Sequence, residues 1–327
     1  MTSGCKRTIK VAVLISTCWK DKLNGGNDAI RQTWGKELPE GWDLKFCIGD
    51  REFTTKEKEL LLTNDFIGSP GTLGNMDASK SSKCPIGTPE DLFEDELLLP
   101  CDDGYLGLPW KTVESLKWAM ERDYDFVVRG FVDTFLFPKM MVKATDLWEK
   151  DAAGWSFGCG PCPAHPDLTH SCALGGAAYT TSRKASQAVI DEPIRHWGED
   201  THAGFALHNA NIPLIHDDRF VWDYGTPAYW NRSKFSIHMC DRGRKWNPKE
   251  MLDMQAKIDS QRHKYPNWDG TCRSCGHTRF RHGLYGPTCR HCGDAHAAGS
   301  KRPQGVPILA TTVPDYTDGE GQKLSSP

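Results

Sequence analysis

Two pairs of closely spaced cysteines, Cys272-x-x-Cys275 and Cys289-x-x-Cys292, stand near the C-terminus. Such knuckles place four thiolates tetrahedrally around Zn²⁺, and a site with no open position is structural. The metal also folds a segment too small to fold around its own core. His277, His282 and His291 offer substitute ligands, but four cysteines are the simpler set. Two further places can do chemistry. The apolar run 124–135 ends near a lone carboxylate, Asp133, and Glu199-Asp200 open a helix-like stretch. A carboxylate at a strand end can hold a divalent cation through oxygen. One ahead of a helix can act as a general base, or simply sit where the helix dipole favours negative charge.

The elements that must position these groups follow from the pattern of apolar residues. Residues 9–15 read as a buried strand, followed by a polar loop over 16–27, a short helix over 28–34 and a second strand over 43–48. Strand, loop, helix, strand is the start of an α/β layer. Residues 51–66 read as helical and 68–91, rich in Gly, Ser, Lys and Pro, as a long loop. A helix over 110–122 leads into a strand over 125–131, and further helices are expected over 138–150, 180–190 and 199–209. The stretch 154–171 reads as irregular. Its Cys159, Cys162, His165 and His170, with Cys172, form a looser candidate for a second zinc site. The expected organisation is a domain over 1–245, a linker helix over 246–268 with Pro248 in its first turn, a zinc ribbon over 269–296 and a flexible tail over 297–327.

A chain of 327 residues fits one large domain with a small appendage. Its formal net charge of −3 names no nucleic-acid or membrane partner. The 12 tryptophans either pack the core or offer faces on which sugars or bases stack. No signal-peptide pattern is present, and no apolar run reaches bilayer-spanning length. The expectation is a soluble cytoplasmic protein of a bacterium or a virus-infected cell, a phage product included, with no membrane partner. Thirteen cysteines in such a chain point to metal ligands and buried thiols rather than a disulfide framework. Within the ribbon, Arg273, Arg279, Arg281 and Arg290 with Phe280 and Tyr285 suit contact with a phosphate backbone. A structural clip or a protein-docking lobe is the equal alternative.

A constellation of weaker signals runs along the chain. Ala29-Ile30-Arg31-Gln32-Thr33-Trp34-Gly35 comes first, then Asp103-Gly104-Tyr105 with Leu108, Lys111 and Thr112, then the strand ending at Asp133. Cys172-Ala173-Leu174-Gly175-Gly176, Gly198-Glu199-Asp200 and Phe235-Ser236-Ile237-His238 complete it. In this order and spacing they resemble the β-1,3-galactosyltransferase and fringe-like glycosyltransferase family, whose motifs read AIRxTWG, DxYxNLTxKT, a strand ending in three acids, a Cys- and Gly-containing turn, and Glu-Asp before a helix. The resemblance covers roughly residues 9–240. It implies an α/β GT-A fold, a Rossmann-like sheet binding a nucleotide sugar, usually UDP-linked. It also implies a hexosyl transfer with inversion, in which a carboxylate takes the acceptor's proton while a cation neutralises the departing diphosphate. On that resemblance Asp200 is the base, with Glu199 the fallback. Thr17, Arg31, Asp103, Lys111, Gly175 and Gly176 are donor-binding positions, and Asp133 and His238 are ligands for Mn²⁺ or Mg²⁺.

One departure matters. Phe131 and Val132 stand where the family has its first two acids. Three outcomes remain open. Asp133, His238 and the donor's phosphates hold a cation together; or the reaction runs without metal, with Arg129 or Lys111 stabilising the leaving group; or the chain is a non-catalytic nucleic-acid or protein-binding module. Retention of Glu199-Asp200 and His238 favours activity. The acceptor hydroxyl belongs either to a hydroxymethylated pyrimidine of viral DNA, modified in place or after base flipping, or to a glycan or glycoprotein.

Overall fold

Val11–Ser16 forms β1, buried along its whole length. A run without polar alternation is what a strand shows when both its faces are covered. Val11, Val13 and Ile15 pack into one core and Ala12 and Leu14 into another, the period of two expected of a strand. The structure is a computed structural model that describes residues 8–62, 87–159, 170–196, 198–221, 234–239, 246–264, 280–283 and 286–289, by backbone alone at 159, 170 and from 260 onward.

After β1 come α1 (Trp19–Leu23), α2 (Gly26–Gln32), β2 (Trp42–Arg51), α3 (Thr55–Leu62) and β3 (Glu96–Asp102). Next are α4 (Leu108–Met120), β4 (Phe126–Phe131), β5 (Thr134–Leu136), α5 (Pro138–Lys143), β6 (Ala152–Gly154), β7 (Ser156–Cys159) and β8 (His170–Ala173). The chain continues through β9 (Tyr179–Ser182), α6 (Arg183–Asp191), α7 (Glu199–Asn209), β10 (Leu214–His216), β11 (Phe220–Val221) and β12 (Ser236–His238). It closes with α8 (Pro248–Lys264), β13 (Phe280–Gly283) and β14 (Gly286–Cys289).

Seven strands form one sheet in the order β10-β6-β9-β4-β1-β2-β3. β1 runs parallel to β2 and β4, β2 to β3, and β10 to β6, while β9 lies antiparallel between β4 and β6. The protein is a mixed α/β fold around a parallel-dominated sheet. Leu116 of α4, Val189 of α6 and Ala203 of α7 cover the face that Ala12 and Leu14 present. Ile30 of α2, Met141 of α5 and Met251, Met254 and Ile258 of α8 cover the other. The segment expected as a linker helix thus contributes α8 to the main core. Trp19, Trp34, Trp42 and Trp148 are buried as well.

The strand order carries the functional consequence. The chain steps outward from β1 to β2 and β3, then returns to lay β4 on the opposite side of β1. The strand order reverses between β1 and β4, and open α/β sheets bind ligands at the carboxyl ends of the strands beside such a reversal.

Several expectations are corrected. Residues 180–190 are not one helix. Tyr179-Thr180-Thr181-Ser182 is strand β9, pinned between two neighbours, and α6 begins only where the Ser182 hydroxyl accepts the Ala185 N–H at 3.2 Å. The helix over 138–150 stops at Lys143, since Ala144 leaves helical geometry with ψ at 79°, and a 3₁₀ turn follows. The irregular stretch 154–171 contains the hairpin strands β7 and β8. β3 was not anticipated. It carries Pro100, which an edge strand tolerates. Among the described residues no helix is long and apolar enough to cross a membrane. Cys272, Cys275 and Cys292 lie outside the described residues, as does the 297–327 tail. Cys289 is described only as backbone at the end of β14, which pairs antiparallel with β13.

Candidate functional site

A cavity of about 600 Å³ opens at the carboxyl ends of β1 and β4. Asp133 sits in it on the tight turn between β4 and β5. The Thr134 hydroxyl holds that turn, accepting the Phe131 N–H at 2.9 Å and donating to the Gly176 carbonyl at 3.0 Å. β12 pairs antiparallel with β5 and sets His238 opposite Thr134. His238 Nε2 thereby comes within 3.3 Å of Asp133 Oδ2. Gly176 makes room for the ring, because a Cβ there would stand 2.6 Å from His238 Nε2. Two ligands at right angles on one ion, each about 2.1–2.2 Å from it, lie about 3 Å apart. The pair therefore fits neighbouring positions on a single cation. Among the described residues no group of three or more His, Cys, Asp or Glu is arranged to hold a metal ion. The pair fits only a cation that brings further ligands with its substrate.

The Asp103 carboxylate is committed to the protein. Its Oδ1 accepts from the Gly49 N–H at 2.7 Å and from Lys111 Nζ at 2.9 Å, and its Oδ2 accepts from the Trp19 N–H at 2.8 Å. Lys111 also donates to the Thr17 carbonyl at 2.6 Å and is 1% exposed. The Thr17 hydroxyl bonds Asn27 Oδ1 at 2.9 Å. Three of the expected donor-binding residues thus line the cavity but spend their polar groups on one another and on the backbone. They fix its shape.

The opposite wall is the start of α7. Glu199 is 3% exposed, and its Oε2 accepts from Thr112 Oγ1 at 3.0 Å and Tyr179 OH at 3.1 Å. Arg129 Nη2 lies 3.6 Å from the same oxygen and donates to Ser16 Oγ at 2.8 Å and Thr112 Oγ1 at 2.7 Å. Arg129 does not line the cavity, and the ammonium of Lys111, which does, is spent on Asp103 and the Thr17 carbonyl. Gly175 is required here, since a Cβ would fall 2.1 Å from Glu199 Oε1 and 2.5 Å from the Phe131 ring. With its carboxylate enclosed, Glu199 supports the wall. Asp200, the next residue, faces the cavity. Burial, reinforced by the Glu199 charge, pushes its carboxyl up to about 6. It is therefore ionised at neutral pH yet more basic than an ordinary carboxylate, as a proton acceptor must be.

No family model matches this chain, and no curated protein matches it. Among solved structures it is similar to the inositol-1-phosphate CTP transferase from T. maritima, with 11% identity and a TM-score of 0.35 over 77% of this chain and 97% of that one. A likeness at that level transfers neither fold nor activity, and the site's own geometry is what remains.

Of the expected site residues, Arg31 alone among those described by side chain is not brought to the cavity. It reaches Asp95 at 2.7 Å, Glu96 at 2.8 Å and Asp28 at 2.7 Å, and lies over the Phe46 and Phe93 rings. Among the lining residues that the motifs did not single out are Lys20 and Asp21 of α1. Asp21 Oδ2 accepts from the Cys18 thiol at 3.2 Å, and burial, with the Asp133 charge adding to it, raises its carboxyl. Nothing in a five-residue helix inside a polar stretch announces them. Cys172 is disulfide-bonded, so its sulfur is no thiolate ligand for a second zinc.

Proposed function

We propose that this chain is an inverting glycosyltransferase of GT-A type, moving a sugar from a nucleoside diphosphate donor, a UDP-sugar on the resemblance, to an acceptor hydroxyl. The observation that carries the reading is that Asp200, pushed up to about 6, shares one cavity at the sheet's switch point with the Asp133–His238 pair. Asp200 takes the acceptor's proton as the acceptor oxygen bonds the anomeric carbon, on the face opposite the breaking bond to the diphosphate. Asp133 and His238 would hold the cation, which when bound supplies charge neutralisation at the diphosphate. Glu199, Arg129 and Tyr179 hold the start of α7 in register with the floor, so the base is pre-positioned. In this proposal the C-terminal cysteines bind structural zinc, and the acceptor belongs to DNA or to a glycan.

The full chain incubated with a panel of UDP-sugars and acceptors, including hydroxymethylated DNA, tests this by mass readout with Mn²⁺, Mg²⁺ or chelator. Transfer is expected with a divalent cation, and Asp200→Asn lowers it by about 10²–10⁴-fold. Donor left unconsumed under every condition, or transfer untouched in Asp200→Asn, refutes the reading.

A further inference from the structure

Among the described residues, more acids than bases line the cavity. Its carboxylates include Asp21, Asp133 and Asp200. Among the described residues that line it are two lysines, Lys20 and Lys111. Lys111 is spent on Asp103 and the Thr17 carbonyl. Lys20 is exposed at the cavity edge, and among the described residues its ammonium makes no hydrogen bond or ion pair. Its charge nevertheless reaches the site, where it lowers the Asp21 carboxyl against the upward pull of burial.

Its placement is fixed by its neighbours. Trp19 is 1% exposed, and its N–H is held by Asp103 Oδ2 at 2.8 Å, so α1 is anchored one residue before Lys20. The Asn24 N–H closes the helix on the Lys20 carbonyl at 3.0 Å. A long side chain on a fixed backbone can follow a ligand into the cavity without moving the fold.

We propose that Lys20 is the leaving-group contact of the donor, donating N–H to a diphosphate oxygen. This rests on the glycosyltransferase reading above. As the anomeric carbon–oxygen bond breaks, its electron pair stays on the diphosphate, and the acceptor's proton goes to Asp200. Lys20 keeps its own protons and answers the added negative charge. It thereby adds to the neutralisation of the diphosphate that a cation held by Asp133 and His238 would supply.

Calorimetric titration of the full chain with UDP, GDP, CDP and ADP, and with the matching nucleosides, provides the test. Lys20→Met is expected to weaken diphosphate binding about tenfold with nucleoside binding unchanged, and Lys20→Arg to restore most of it. The loss should shrink at high salt. Diphosphate binding equal in wild type and Lys20→Met overturns the assignment while leaving the enzyme reading intact. A wild type that binds no nucleoside diphosphate at all overturns both. A lysine this exposed is replaced without unfolding the chain, which a melting curve checks.

Discussion

Asp133 and His238 are separated by 105 residues in sequence and by 3.3 Å in space. The contact exists because β12 pairs with β5 at the end of the turn that carries Asp133. One carboxylate oxygen and one imidazole fill about a third of an octahedral coordination shell. Asp133→Asn is therefore expected to raise the Mn²⁺ concentration needed for half-maximal transfer at least about tenfold, with the melting temperature nearly unchanged. Identical metal titrations for wild type and variant would remove Asp133 from the cation site.

The activity should rise with pH through a midpoint near 6, the value to which Asp200 is pushed. Burial favours its protonated form. Its folded value lies above the unfolded one, so its contribution to stability is present below about 4 and lost as pH rises through about 6. Asp200→Asn should then be inactive yet more stable than wild type at pH 7, by on the order of 2 kcal/mol. A variant that is inactive and less stable would point to a structural role instead.

Lys111→Met leaves Asp103 buried with only backbone N–H donors, those of Gly49 and Trp19, among the described partners. Breaking a buried pair in this way costs about 3–5 kcal/mol. Denaturant unfolding should show that loss, and replacing both partners by apolar residues should cost less than the sum of the two single changes. A loss below about 1 kcal/mol would show the pair to be dispensable.

His202 lies buried on α7 with Nε2 3.2 Å from the Val189 carbonyl, and burial lowers its imidazole to about 4. Its folded value lies below the unfolded one, so the fold loses stability through this group as pH falls from about 6.5 to 4. The stability gap between wild type and His202→Met should narrow by on the order of 3 kcal/mol over that window. A gap independent of pH would exclude His202 as a source of acid sensitivity.

The parts of this molecule that sequence reveals are those whose reasons are local. β1 is apolar up to its terminal Ser16, β4 is apolar apart from Arg129 and Gly130, and α7 begins at Glu199 and ends at Asn209 as its pattern indicates. β9 was read as helix because a four-residue strand is too short to display its period, and only its antiparallel place between β4 and β6 decides its state. Arg31 stands in a motif that suggested donor binding, but the acids that claim it, Asp95 and Glu96, arrive from β3 and the turn before it. The Asp133–His238 contact and the cavity faces of Lys20 and Asp21 arise from strand pairing between distant segments, which residue spacing does not encode.

The Asp103 carboxylate joins β2, α1 and α4 at a single point. None of those segments can hold its cavity edge until β3 has docked at the sheet's margin. The binding site thus depends on the sheet's margin being in place and is expected to belong to the same cooperative unit as the sheet. A partly assembled chain has no weak version of the site. Along a denaturation curve, ligand binding and tertiary structure should vanish together, and bound donor should shift the whole transition rather than rescue a fragment of it.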